Sequence, residues 1–298
     1  MKSRISAAVL CGIIMVMAGA LGILQGGPPA PQQEKVPLVK FAGVRSSAYG
    51  IKPFPEPSEW IKAISTMGGY FPGSTPCAVW IVGHLSKRRN CKLDFPSEGK
   101  NFPNIEFLDF DKHERFLSEF DKAGIKIFLQ VEPANADMKT LIDLVLGRYK
   151  SHPCVIGFGV DVEWNKEADF PERGEKVGDD AARQWEAWVK APNPRYRLFV
   201  KHWDQLWMPP TYRGEIVFVD DSQIFKSFDE MAAEFEAWGA TFKPNPVLFQ
   251  IGYNSDKPWW QKIPDPPKTM GEAIARRIQQ DCGIIWVDFS LRDVLPLK

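Results

Sequence analysis

The sequence predicts a single (βα)8 barrel, and three observations predict it. Short apolar strands alternate with amphipathic helices from residue 39 to the C-terminus. Eight such strands fit in about 260 residues, a usual length for this barrel. No Gly-rich phosphate loop follows the first strand, which sets aside the doubly wound open sheet. Strands separated by helices pair in parallel, because the helix returns the chain to the end where the previous strand began.

Residues 1–26 precede this pattern. They carry Lys2 and Arg4, then an uncharged run from Ile5 to Leu24, with Ala18-Gly19-Ala20 near its end. This is the pattern of a secretory signal. A run of about twenty residues is also long enough for an uncleaved membrane anchor. The expectation is export to the cell surface or beyond, with membrane contact only through this segment. Residues 27–38, "GPPAPQQEKVPL", read as a linker. Residues 39–298 are left for the barrel.

The strands follow in order: "VKFAGVRSS", "CAVWIVGH", "IKIFLQVEP", "VIGFGVDVEW", "YRLFVKHW", "EIVFVDDSQ", "VLFQIGYN" and "GIIWVDFS". Helical patterns stand between them. "PSEWIKAISTMG" follows the first strand, and "DKHERFLSEFDKAG" precedes the third. "MKTLIDLVLGRYK" precedes the fourth, "DDAARQWEAWVK" the fifth, "SFDEMAAEFEAWGA" the seventh and "TMGEAIARRIQQD" the eighth. Between the fifth and sixth strands the loop "MPPTYRG" replaces a helix.

Composition narrows the function. The chain has 298 residues, a formal net charge of zero and 11 tryptophans. Zero net charge argues against a nucleic-acid partner, which calls for a basic surplus. Many of the tryptophans lie in polar, Pro-rich stretches, where an aromatic ring serves as a stacking surface. Beyond the N-terminal segment the cysteines are Cys77, Cys91, Cys154 and Cys282. Cys77 and Cys91 are close enough in sequence to pair in an exported protein. Cys154 and Cys282 each precede an apolar strand and read as buried thiols. No CxxC or HExxH spacing marks a metal centre, and no cofactor is expected.

A barrel of this kind keeps its active site at the C-terminal ends of its strands. Strand side chains alternate between faces, so polar residues at a strand end that are in phase with the barrel interior face the mouth. In the fourth strand one face is apolar throughout. The other holds Gly157 and Gly159, then Asp161 and Glu163 at the mouth. In the eighth, Trp286 and Asp288 fall together. The third contributes Gln130 and Glu132, the second Trp80 and His84, the first Arg45, and the seventh Gln250 with Tyr253 or Asn254. Strands five and six leave the phase open: Lys201 and Trp203, or His202 and Asp204; Asp220, or Asp221.

Two carboxyls two residues apart on a strand interact strongly, and one keeps its proton to higher pH. That makes Glu163, nearer solvent, a proton donor and Asp161 its partner. Proton donation to a leaving oxygen beside aromatic rings is glycoside chemistry. Trp164, Trp203, Trp207, Tyr212, Tyr253, Trp259 and Trp260 are the candidate stacking rings.

At these residues the chain resembles known families. "VDVEW" on a fourth barrel strand resembles the end of the Asp-x-x-Asp-x-Asp-x-Glu signature of glycoside hydrolase family 18, the chitinases. Asp161 and Glu163 fall on its final Asp-x-Glu, while Gly159 and Ile156 stand at earlier Asp positions. "GIIWVD" resembles that family's eighth strand, whose Trp floors the sugar site, here Trp286. The resemblance implies that Glu163 protonates the glycosidic oxygen while Asp161 orients the substrate's 2-acetamido group. The pattern also resembles family 25, the muramidases, in its fourth-strand Asp-x-Glu and an eighth-strand acid, here Asp288.

The expected function is therefore an exported glycoside hydrolase acting on a polysaccharide, one with N-acetylated amino sugars included. Glu163, Asp161 and Asp288 are the expected catalytic residues. Trp286, Glu132, Gln250, Tyr253, Arg45, His84, Trp80 and Trp203 are expected to bind substrate. Two other readings remain: a sugar-binding barrel without turnover, and a metal-dependent hydrolase using Asp161, Glu163, His84 or His202, and Asp288.

Overall fold

The computed structural model describes residues 39–166, 169, 171 and 173–297. The signal and linker expected over residues 1–38 lie outside the described residues. Among the described residues, no helix is long and apolar enough to cross a membrane.

Eight parallel strands close into a barrel. They are β1 (Val39–Ser46), β2 (Thr75–Leu85), β5 (Lys126–Val131), β6 (Val155–Asp161), β7 (Arg197–Lys201), β8 (Val217–Asp220), β9 (Val247–Ile251) and β10 (Cys282–Val287). The hydrogen-bonded order runs β1-β10-β9-β8-β7-β6-β5-β2, and β1 pairs again with β2 to complete the ring. Two short strands, β3 (Cys91–Leu93) and β4 (Ile105–Phe107), extend the sheet beyond the rim. They attach because β2 runs past the barrel, pairing Gly83 with Leu93 and Leu85 with Cys91. Nothing in the alternating pattern announced this extension.

Helices α1 (Pro57–Gly69), α2 (Glu114–Ala123), α3 (Met138–Tyr149), α4 (Asp179–Lys190), α5 (Phe228–Phe242) and α7 (Pro266–Arg277) cover the strands, with short α6 (Lys257–Trp260) and α8 (Leu291–Val294) near the end. Their limits follow from local chemistry. Asp137 caps α3 by accepting from the Thr140 N–H, and Ser227 caps α5 by accepting from Glu230. Gly124, at φ 69°, stops α2 in the left-handed region that favours glycine. No helix forms between β7 and β8. A single 3-10 turn, Gln205–Trp207, and an irregular run from residue 208 to 216 descend the wall instead.

Two apolar layers result. The barrel interior holds Cys77, Val79, Phe128, Phe199, Val217, Val219, Leu248 and Ile285. The second layer lies between strands and helices and includes Trp60, Trp80, Trp238, Trp260 and Trp286. Gly157 and Gly159 decide how the interior fills. A Cβ at Gly157 would overlap the Arg197 carbonyl and crowd the Phe128 ring, and one at Gly159 would overlap the Phe199 ring. Their absence lets Phe128 and Phe199 meet edge to face at 5.6 Å and floor the mouth.

The expected fourth-strand phase holds for Phe158, Val160 and Val162, which pack outward. Ile156 departs from it. A bulge opposite Ile127 and Phe128 inserts one residue into β6 and turns Ile156 toward the inner cluster. All four described cysteines are free thiols, so the pairing expected of Cys77 and Cys91 does not form. Cys77 lies inside the barrel, whereas Cys91 packs in the outer layer.

Candidate active site

The C-terminal rim gathers a dense charge network. Arg45 ends β1, Glu132 follows β5, Asp161 ends β6 and Lys201 ends β7, while Asp221 lies just past β8. All five are buried. Lys201 is the hub: its ammonium lies 2.9 Å from Asp161 and also contacts Asp221. Gln130 on β5 donates to Asp161 at 3.3 Å. Glu132 accepts the Leu85 N–H at 2.7 Å and the Tyr49 hydroxyl. Arg45 donates to Asp288 at 3.3 Å, and Ser47 donates to Asp288 through its N–H and hydroxyl. Tyr253 donates to Gln250 at 3.2 Å.

The phase left open in strands five and six is now decided. Lys201 and Asp221 point into the barrel. His202 turns outward, where its ring stacks on Trp203 and Trp207, and its Nε2 meets the Arg173 carbonyl. Asp220 also turns outward, in register with outer-layer Phe249, and accepts the Ser222 N–H at 2.8 Å.

Glu163 sits higher, half-buried, in a 3-10 turn (Val162–Trp164). β6 ends at Asp161, so the two acids do not share one strand as expected. Burial pushes the Glu163 carboxyl up to about 7. Lys201 pulls it down, Asp221 and Glu132 push it up again, and Arg45 draws it down. Burial also raises Asp161 well above the ordinary carboxylate range, against Lys201 and with Asp221 and Glu163. Burial works against the Lys201 charge, but Asp161 and Asp221 more than restore it. One ammonium thus serves two carboxyls, and burial holds the Asp161 proton to higher pH than an ordinary carboxyl keeps it.

Unsatisfied polar atoms concentrate here. Among the described residues, ten buried side-chain atoms have no hydrogen-bond partner, and five are Arg45 Nε, Gln130 Oε1, Asp161 Oδ1, Asp221 Oδ1 and Gln250 Nε2. Buried polar atoms are ordinarily paired, so such a concentration marks a surface built to contact something polar. Aromatic rings stand above it. Tyr49 and Phe289 are 46% and 36% exposed and stack at 6.0 Å, with the Arg45 guanidinium 4.7 Å from the Phe289 ring. Half-buried Trp203 lies across from Arg173 at 4.5 Å.

Several expectations need correction. Trp286 does not floor the mouth. Its neighbour Ile285 faces the interior, and Trp286 packs outward against Trp260 at 5.3 Å. Trp80 likewise packs outward, among Trp60, Phe116 and Phe120, and donates to His113 at 2.9 Å. His84 lies past a bulge in β2 between Ile81 and Gly83, and its Nδ1 is 3.5 Å from Asp94 of the rim extension. Asp288 is wholly buried and held by Arg45 and Ser47 rather than open to the mouth. Among the described residues Asp161, Glu163, Asp288, His84 and His202 do not gather into a cluster of metal donors, so the metal-hydrolase set is not assembled. The chitinase signature's middle acid has no room, because the Phe199 ring fills the space beside Gly159.

Tyr49, Ser47 and Phe289 were missed by sequence reasoning. A signal existed for two of them. Tyr49 falls three residues after β1 and Phe289 two after β10, so each is an aromatic at a strand's C-terminal end.

No protein-family model matches the chain, and no curated protein matches it. Solved structures do. A Bacteroides thetaiotaomicron protein assigned as an alpha-L-fucosidase superposes with a TM-score of 0.51, at 14% identity, over 92% of this chain and 91% of that one. An intracellular xylanase from Thermoanaerobacterium saccharolyticum gives a TM-score of 0.43, at 11% identity, over 86% of this chain and 90% of that one. At such identity the first likeness is one of fold, that of the (βα)8 barrel described above.

Proposed function

We propose that this chain is a glycoside hydrolase acting on a polysaccharide, with Glu163 as general acid and Asp161 as its charge partner. One observation carries the reading: a half-buried carboxyl with a pKa near 7 stands at the mouth of an acid-rich barrel. Such a group is protonated often enough at neutral pH to donate, and acidic enough to do so readily. Glu163 gives its proton to the glycosidic oxygen, and the bond from that oxygen to the anomeric carbon breaks. Positive charge develops on the sugar ring as the bond breaks, and a water molecule then adds to the anomeric carbon and returns a proton to the Glu163 carboxylate. Glu163 becomes a carboxylate as it gives up its proton, and that new negative charge at the mouth favours a cationic transition state. Tyr49 and Phe289, exposed beside Arg45, offer faces for neighbouring sugars.

The finer substrate we propose carries N-acetylated amino sugars, supported by the Asp-x-Glu pairing at the end of the fourth barrel strand. Export is proposed on Lys2, Arg4 and the uncharged run that follows them.

A second reading, a sugar-binding barrel without turnover, draws on one observation. Lys201 and Gln130 already engage Asp161, and no second acid stands beneath it. The same experiment separates the two. The residue 39–298 chain is incubated with chitin oligomers, peptidoglycan fragments and unrelated soluble polysaccharides, with and without chelator. Release of reducing ends regardless of chelator, lost in Glu163→Gln, supports the hydrolase. Binding without release in the unmodified chain assigns it to the binding reading.

A further inference from the structure

We propose that Asp121, His152 and Cys154 form a binding site for a zinc-class divalent metal ion on the outer wall of the barrel. The site lies at the end opposite the mouth and is separate from the proposed active site. Asp121 is in the last turn of α2, and His152 and Cys154 lie between α3 and β6. A carboxylate oxygen, a ring nitrogen and the thiol sulfur fall within 4.8 Å of one another.

The groups behind these donors are already arranged. The Cys154 N–H donates to Asp121 Oδ1 at 2.7 Å, which fixes that oxygen and leaves Oδ2 facing His152 Nδ1. On the far side of the ring, His152 Nε2 meets Glu114 Oε2 at 3.2 Å. A carboxylate on the second ring nitrogen is the usual outer support of a metal-binding histidine, since it sets ring orientation and raises donor strength. An ion pair of His152 with Asp121 and Glu114 accounts for the nitrogen and oxygen atoms. The Cys154 thiol joins them, hydrogen-bonding to Asp121 and lying 3.6 Å from the Leu117 carbonyl, so the third donor already faces the same carboxylate.

One sulfur, one nitrogen and one oxygen make a borderline-soft set, which suits zinc better than magnesium or calcium. Two such light-atom ligands around tetrahedral zinc stand about 3.3 Å apart. His152 Nδ1 and Asp121 Oδ2, now 2.7 Å apart, need only a small opening. The part-exposed Asp121 side leaves a fourth position to water. The Lys126 ammonium, whose charge acts on Cys154, is engaged by the Pro153 carbonyl at 3.2 Å. Sequence spacing alone gives no hint of this site, because only His152 and Cys154 are neighbours along the chain.

The test is a cobalt(II) titration of the chelator-stripped residue 39–298 chain. One equivalent is expected to produce a near-ultraviolet sulfur-to-cobalt absorption band that zinc then bleaches. Zinc is also expected to raise the melting temperature. Cys154→Ser should lose the band while Cys77, Cys91 and Cys282 remain. Asp121→Asn keeps an acceptor for the Cys154 N–H and should weaken cobalt affinity by about tenfold or more. No band, a band that survives Cys154→Ser, or a melting temperature indifferent to zinc overturns the proposal. Where Cys154→Ser does not fold, Asp121→Asn decides, and unchanged cobalt affinity there overturns it.

Discussion

Lys201 on β7 holds its ammonium 2.9 Å from the carboxylate of Asp161 on β6, with both side chains buried. This ion pair joins two adjacent strands at the rim and sets the field beneath Glu163. Replacing Lys201 by Met strands two buried carboxyls without their cation. Loss of about 3–5 kcal/mol of stability is expected, as for a broken buried pair. Chemical denaturation of the Lys201→Met protein checks it, and a loss below 1 kcal/mol on the order of a surface pair would contradict it.

Activity should depend on pH through Glu163. Its carboxyl must be protonated to donate, and its pKa is pushed up to about 7. Under the proposed function, kcat/KM therefore falls as pH rises through about 7. Lys201 lowers this pKa, so removing its charge, as in Lys201→Gln, should move the alkaline limb to higher pH. Profiles of both proteins on the same oligosaccharide provide the comparison.

Glu163→Gln removes the proton but keeps the shape. A fall in turnover of about 10²–10⁴-fold is expected, with stability nearly unchanged. Steady-state kinetics beside thermal melting measures both. Equal turnover would remove Glu163 from the mechanism.

Trp80 and Trp286 should behave as packing residues. Both are wholly enclosed between strands and helices. Trp286→Ala is expected to cost about 3–5 kcal/mol of stability. At a temperature where the variant remains folded, its affinity for oligosaccharide should match that of the unmodified protein, which a titration will show.

Asp94 ties the rim extension to α2. Its carboxylate accepts from Lys112 at 3.0 Å and lies 3.6 Å from His113 Nε2. Burial opposes its charge, but the His113 bond and the Lys112 charge lower its pKa from 3.8 to about 2. A depressed folded pKa gives stability that is present above the unfolded value. It is lost as pH falls from about 4 toward 2. The contribution is on the order of 2 kcal/mol. Asp94→Asn should lose it at neutral pH and show a flatter stability curve between pH 4 and 2, measured by urea denaturation.

Much of the fold was legible in the chain itself. Strand and helix periods differ, so their alternation could be counted, and the helix missing before β8 could be noticed. The placement of polar residues at strand ends also located the mouth, because a barrel's interior admits few charges except at its rim. Phase was harder to read. A barrel strand is covered on both faces, so apolar residues occupy both and alternation no longer separates inside from outside. That is why the sequence places Trp80 and Trp286 at the mouth, although they belong to the outer layer. The bulge at Ile156 compounds the difficulty by changing phase within one strand.

What the sequence by itself determined, then, is the barrel, its order of elements and the end at which charge gathers. Those depend on local period and on polarity along one segment. Tertiary structure decided that Lys201 joins Asp161 to Asp221, that Tyr49 reaches Glu132, that Asp288 is held by Arg45, and that Asp121 meets His152 and Cys154. Each is a contact between side chains far apart in sequence. Contacts of that kind depend on strand register and burial, which arise only when the sheet closes.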